Sequence, residues 1–86
     1  RYAITSERIT VRRHPDSDVF LDDITVSRRH VDLSTNNTGH VIRDVGSLNG
    51  TYLNGERLGD SEVSLTNGDE LQIGKFKLLY LVSSST

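Results

Sequence analysis

The feature that most constrains this chain is its punctuation. Short apolar or alternating runs are broken by turn residues about every eight to twelve positions, and no stretch of about ten residues carries a helical period. The runs are Tyr2-Ala3-Ile4, Ile9-Thr10-Val11, Val19-Phe20-Leu21, Val31-Asp32-Leu33, His40 to Val45, Thr51-Tyr52-Leu53, Glu56-Arg57-Leu58, Val63-Ser64-Leu65, Leu71-Gln72-Ile73 and Phe76 to Val82. Asn54-Gly55, the strongest short hairpin signal, separates two of them, and Asn67-Gly68 marks another turn. Many short strands joined by tight turns predict an all-β sandwich or barrel.

At 86 residues there is room for one compact domain with a modest core. The core is expected from Ile9, Val11, Val19, Leu21, Val31, Leu33, Ile42, Leu53, Leu58, Val63, Leu65, Leu71, Ile73, Leu78 and Tyr80. The domain is expected to span residues 1–82, with Ser83-Ser84-Ser85-Thr86 as a disordered tail. The absence of Cys excludes disulfides and thiolate metal sites and fits a reducing, cytoplasmic setting. No apolar run reaches the ~18–20 residues of a membrane helix. A net charge of −2 disfavours nucleic acid as the partner of the whole domain.

Several near-motifs fail on their chemistry. Gly68 to Lys75 has five residues between its glycines and ends on Phe76, where a P-loop needs Ser or Thr for magnesium. Asp16-Ser17-Asp18 opens like a calcium loop but has Leu21 at the glycine position. Ser27, His30 and Asp44 could be named a hydrolase triad, yet no nucleophile elbow surrounds Ser27. His14, His30 and His40 lack metal-ligand spacing. Neither a metal, a cofactor nor a catalytic residue is expected.

Three loop segments remain, at Arg13 to Asp18, Ser27 to His30 and Gly46 to Thr51. The basic pairs Arg12-Arg13 and Arg28-Arg29 flank an acidic stretch carrying Asp16, Asp18, Asp22 and Asp23, which suggests a local anion site. A guanidinium holds two phosphate oxygens at once, a serine hydroxyl donates to a third, and an asparagine amide bridges to the main chain of an extended peptide. If Arg13, Ser27 and Asn49 converge, they would make a phosphopeptide reader.

In order and spacing, Arg12-Arg13, Ser27-Arg28-Arg29-His30, Asn49-Gly50-Thr51 and Asn54-Gly55 resemble the motif set of the forkhead-associated (FHA) family. Each motif is weak alone, but the ordered set is specific. The likeness runs from about Tyr2 to Val82 and is strongest to the small actinobacterial FHA regulators. It implies a β-sandwich of two mainly antiparallel sheets, with the family's first strand unaccounted for. It also implies a phosphothreonine-dependent binding module in Ser/Thr kinase signalling, with 2-oxoglutarate and glutamate metabolism as its setting. By resemblance, Arg13 would grip the phosphate, Ser27 would hydrogen-bond it and Arg28 would contact it. Asn49 would anchor the peptide backbone, with Leu48 and Ser47 shaping the same loop. His30, Gly50, Thr51 and Asn54 would be architectural. Partners would be phosphothreonine proteins, among them Ser/Thr kinases or metabolic enzymes, with neither nucleic acid nor membrane. Preference for phosphothreonine would need a pocket for its methyl group, whose burial contributes only about 1 kcal/mol, so geometry must add to it.

One residue departs from the pattern. Arg12 stands where the family carries Gly, and it is expected to project outward and add positive potential. The alternative reading is a phospho-independent regulatory domain that binds metabolic enzymes through a sheet face.

Overall fold

The computed structural model describes residues 7–36 and 39–82. Nine strands occupy these residues: β1 (Arg8–Arg12), β2 (Val19–Phe20), β3 (Val31–Asn36), β4 (Gly39–Asp44), β5 (Thr51–Leu53), β6 (Glu56–Arg57), β7 (Val63–Ser64), β8 (Glu70–Ile73) and β9 (Phe76–Leu79). They form a five-stranded sheet, β2-β1-β3-β4-β7, and a four-stranded sheet, β6-β5-β8-β9. Only β1 and β2 pair in parallel; the other pairings are antiparallel. The all-β, two-sheet expectation therefore holds. The strand expected over Tyr2-Ala3-Ile4, and with it the question of a first strand, lies outside the described residues, as does the tail from Ser83.

Register explains the core. Ile9, Leu33, Ile42 and Val63 stand opposite one another across β1, β3, β4 and β7, so one face of the larger sheet is aliphatic. Across the smaller sheet Leu53, Leu71 and Leu78 form the matching row. The two faces meet in one cluster with Val11, Val19, Leu21, Val31, Leu65, Ile73 and Tyr80 buried. Leu53, Leu58, Val63 and Leu78 are only partly buried against it. The sequence reading missed Val26, fully buried from within the β2–β3 loop, and Val41, buried outside this cluster. Val41 pairs with Ser34 and Ser64, which places it on the sheet face opposite Ile42.

The turns follow their residues. Asn54 and Gly55 both have positive φ, 51° and 87°, the type I′ pattern of a two-residue hairpin. Gly74 has φ 59° at the first position of the Gly74-Lys75 loop between β8 and β9, as a type II′ turn requires. β9 is shorter than its apolar run: Tyr80 pairs instead with the 66–69 turn, donating to the Asp69 carbonyl and accepting from Gly68. This alternation divides the sandwich into two ends. The β2–β3 and β4–β5 loops and the Gly74 turn gather at one, and the Asn54 and Asn67 turns at the other.

Candidate functional site

His30 is the centre of the first end. It has 0% exposure, and its Nδ1 accepts the Ser27 backbone N–H at 3.0 Å. The ring proton therefore sits on Nε2, which donates to the Gly50 carbonyl at 3.0 Å. One neutral imidazole thus joins the β2–β3 loop to the β4–β5 loop from inside. Ser27 does not donate its hydroxyl to His30, so the triad geometry rejected from sequence is not formed. Instead Ser27 Oγ accepts the Leu48 N–H at 3.0 Å, which leaves the hydroxyl proton available for another acceptor.

The β4–β5 loop is wound around Asp44. Its Oδ1 accepts the backbone N–H groups of Gly46 and Ser47, each at 2.8 Å, and its Oδ2 accepts the hydroxyls of Ser47 and Thr51. Burial pushes the Asp44 carboxyl up, but these hydrogen bonds, led by Ser47, outweigh it and hold its pKa below the ordinary carboxylate range. Asp44 was weighed from sequence only as a triad member; the Asp-x-Gly-Ser order around it is the signal of such a turn. Ser47 is thus spent on the loop itself. Thr51 is fully buried. The same loop lifts Leu48 out to 84% exposure.

A second set of ties runs through Thr25. Asn49 Nδ2 donates to the Thr25 carbonyl at 2.9 Å, and among the described residues Asn49 Oδ1 has no donor. The Lys75 N–H donates to Thr25 Oγ1 at 2.8 Å, and Thr25 Oγ1 donates to Asp23. Lys75 Nζ completes the arrangement 2.8 Å from Asp23. Lys75 and Thr25 together hold the Asp23 carboxyl far below its usual range. Gly74 makes this approach feasible: a Cβ there would lie 2.5 Å from Thr25 Oγ1 and 2.7 Å from the Thr25 carbonyl oxygen. Val26, sunk in the core beside Thr25, pins the loop from below.

Arg13 joins by its backbone, donating its N–H to the Ser27 carbonyl at 3.0 Å. Its Nε is buried and has no hydrogen-bond acceptor, and Arg13 forms no ion pair among the described residues. Arg28 and Arg29 are exposed beside Ser27. Arg12 behaves differently. Its φ is not positive, so the family glycine is not needed for backbone freedom here. Its guanidinium lies 3.6 Å from Asp32, which also takes Arg8 at 2.6 Å. The Arg12 charge is therefore answered by Asp32 rather than added to the site. A groove on that outer sheet face, lined by Arg8, Asp32, Ser34, Arg43, Val45 and Glu62, is correspondingly mixed in charge.

Asn54 lies at the other end of the sandwich. Its side chain accepts the Glu70 N–H and donates to Asp69, tying the β5–β6 turn to β8. Gly50 has φ 85°, and the space where a side chain would go is filled by the Arg57 guanidinium.

A sandwich that offers an arginine, a serine hydroxyl and an asparagine carbonyl from loops braced by buried polar ties defines a recognition domain. The FHA domain model matches residues 9–74, and the chain belongs to the FHA domain family. It is 52% identical over 84 residues to the oxoglutarate dehydrogenase inhibitor of Corynebacterium jeikeium (strain K411), covering 98% of this chain and 57% of that protein. It is 54% identical over 81 residues to the glycogen accumulation regulator GarA of Mycobacterium tuberculosis (strain ATCC 25618 / H37Rv), covering 94% and 49%. The chain spans about half the length of the curated relatives it matches. Among solved structures, Mycobacterium tuberculosis EmbR in complex with a low affinity phosphopeptide aligns with TM-score 0.91 and 30% identity, over 99% of this chain and 22% of that one. The N-terminal FHA domain of S. cerevisiae Rad53p in complex with a phosphothreonine peptide aligns with TM-score 0.71 and 31% identity, over 78% and 56%. Among the described residues no helix is long and apolar enough to cross a membrane.

Proposed function

We propose that this domain binds phosphothreonine segments of partner proteins and carries no catalytic activity of its own. The observation that carries this reading is the Arg13–Ser27 pair. Arg13, unlike Arg12, has no ion pair among the described residues, so its charge is open to a phosphate, which a guanidinium binds with charge-assisted bonds. Ser27, fixed beside Arg13 by the main chain, has its acceptor role filled by Leu48 and its proton free for the same phosphate. Arg28 adds exposed positive charge next to Ser27. Asn49 Oδ1 would take a backbone N–H of the bound segment, and Leu48 would lie against it. His30, Asp44, Thr51 and Gly50 set the loops without touching ligand. The relatives named as an inhibitor and a regulator support a regulatory role toward a metabolic enzyme; a Ser/Thr kinase as a further partner and a cytoplasmic setting are part of the same proposal.

The test is a titration with one degenerate peptide pool in phosphothreonine, phosphoserine and unphosphorylated forms. Binding is expected for the phosphothreonine pool alone. Arg13→Ala should weaken it by about 2–3 kcal/mol, some thirtyfold or more, from the loss of charge-assisted bonds. Equal binding of all three pools, or an unaltered affinity in Arg13→Ala, would overturn the reading. Binding of the unphosphorylated pool would point to the sheet-face alternative.

A further inference from the structure

Among the described residues, the guanidinium over Gly50 has no role in the fold's polar ties. Arg57 is exposed and has no carboxylate within ion-pair distance among the described residues. It nonetheless lies against the Gly50 backbone, where an added Cβ would meet its Nε at 2.7 Å and its Cζ at 3.0 Å. Gly50 directly follows Asn49, and its carbonyl is the one held by His30. Arg57 therefore caps the rim of the recognition loop from the side of the smaller sheet.

Register extends the feature. Arg57 stands opposite Tyr52, Tyr52 opposite Gln72, and Gln72 opposite Lys77, so the four form one row across the outer face of β6, β5, β8 and β9. Both ends of the row are cations and neither inner member is an acid. The first acid of that face, Glu70, stands one row further toward the other end of the sandwich. A cation-ended row that begins at the site's rim is complementary to carboxylates leaving the site.

We infer that Arg57 is a specificity residue that reads an acidic side chain flanking the phosphothreonine in the same bound segment, with Lys77 extending the preference outward. This rests on the phosphothreonine reading above. The Gly50 contact holds the planar fork near Asn49, so a carboxylate of the segment could meet it without the fork being ordered anew.

The experiment uses three versions of a phosphothreonine peptide, with glutamate, alanine or lysine at the positions around the phosphothreonine, and their unphosphorylated counterparts. Affinities are measured for the parent domain, Arg57→Gln and Arg57→Glu at low and physiological salt. The parent is expected to favour the glutamate version over the alanine version by about fivefold, the reach of an exposed ion pair, and by less as salt rises. Arg57→Gln should bring that ratio close to one, and Arg57→Glu should shift preference toward the lysine version. A glutamate preference that persists in Arg57→Gln would overturn the inference and assign the preference to Arg28 and Arg29. No glutamate preference in the parent would also overturn it, while leaving phosphothreonine binding intact. Loss of phospho-dependence in the parent would overturn both readings together.

Discussion

His30 shows how a single side chain can be decisive without meeting a ligand. Both ring nitrogens are used, one as acceptor and one as donor, on main-chain groups of two different loops, the second twenty positions from His30 in sequence. Replacing it by Ala strands a buried N–H at Ser27 and a C=O at Gly50 and opens a void between them. His30→Ala is expected to cost about 2–5 kcal/mol of stability, read by chemical denaturation, and to lower phosphothreonine affinity as well. A loss under about 1 kcal/mol would mean that the loops hold without it. Asp44 plays the complementary part as an acceptor-only hub for its own loop. At this scale the sequence singles out Arg13, Ser27 and Asn49 by side-chain chemistry that suits a phosphate and an extended backbone, and the structure ties their three loops together. The sequence did not show the parts of Asp44 and Thr25, which come from the bonds that the folded loops bring to them.

At the level of strands and turns, most of the architecture was legible. Alternation and Asn-Gly signals placed β1 to β8 close to where they lie, since a half-buried sheet imposes a period of two on its residues. β9 ended early because a main-chain turn partner replaced its strand partner at Tyr80. Val26 escaped notice as one apolar residue in a polar loop, with no periodic neighbours. The convergence of loops was hidden too: the Lys75–Thr25 bond spans fifty positions, and no local pattern encodes it. Two glycines make this testable. Gly74 and Gly55 both sit at positive φ, so Ala at either costs about 1 kcal/mol of backbone strain. Only at Gly74 does the new Cβ strike Thr25; at Gly55 it meets open space. Gly74→Ala is therefore expected to weaken phosphothreonine binding severalfold and to destabilise further, whereas Gly55→Ala should leave affinity unchanged. Equal affinities for the two variants would separate the Gly74 turn from the site.

Across the whole molecule, carboxylates bind the structure to pH. Asp44, Asp23, Asp69 and Asp18 all have their pKa values lowered by hydrogen bonds or ion pairs in the folded state. A lowered folded pKa means that the unfolded chain binds more protons, so this stability is fully present above about pH 4 and is lost as pH falls through the depressed values. Thermal melts from pH 7 down to pH 2 should show a steep decline confined to the acid limb. In Asp44→Asn the decline should be shallower and the melting temperature at neutral pH lower; an unchanged acid slope would remove Asp44 from this account. Binding should fail earlier on acidification than folding, because phosphothreonine takes up a proton near pH 6. The ties through His30, Asp44 and Thr25 are all made within the protein, before any segment arrives. A surface already set in this way has little left to order at encounter, so arrival rates should differ little from one target to another. Discrimination among targets would then be a matter of residence time: a matched segment and a poor one dock about equally fast, and the poor one leaves sooner.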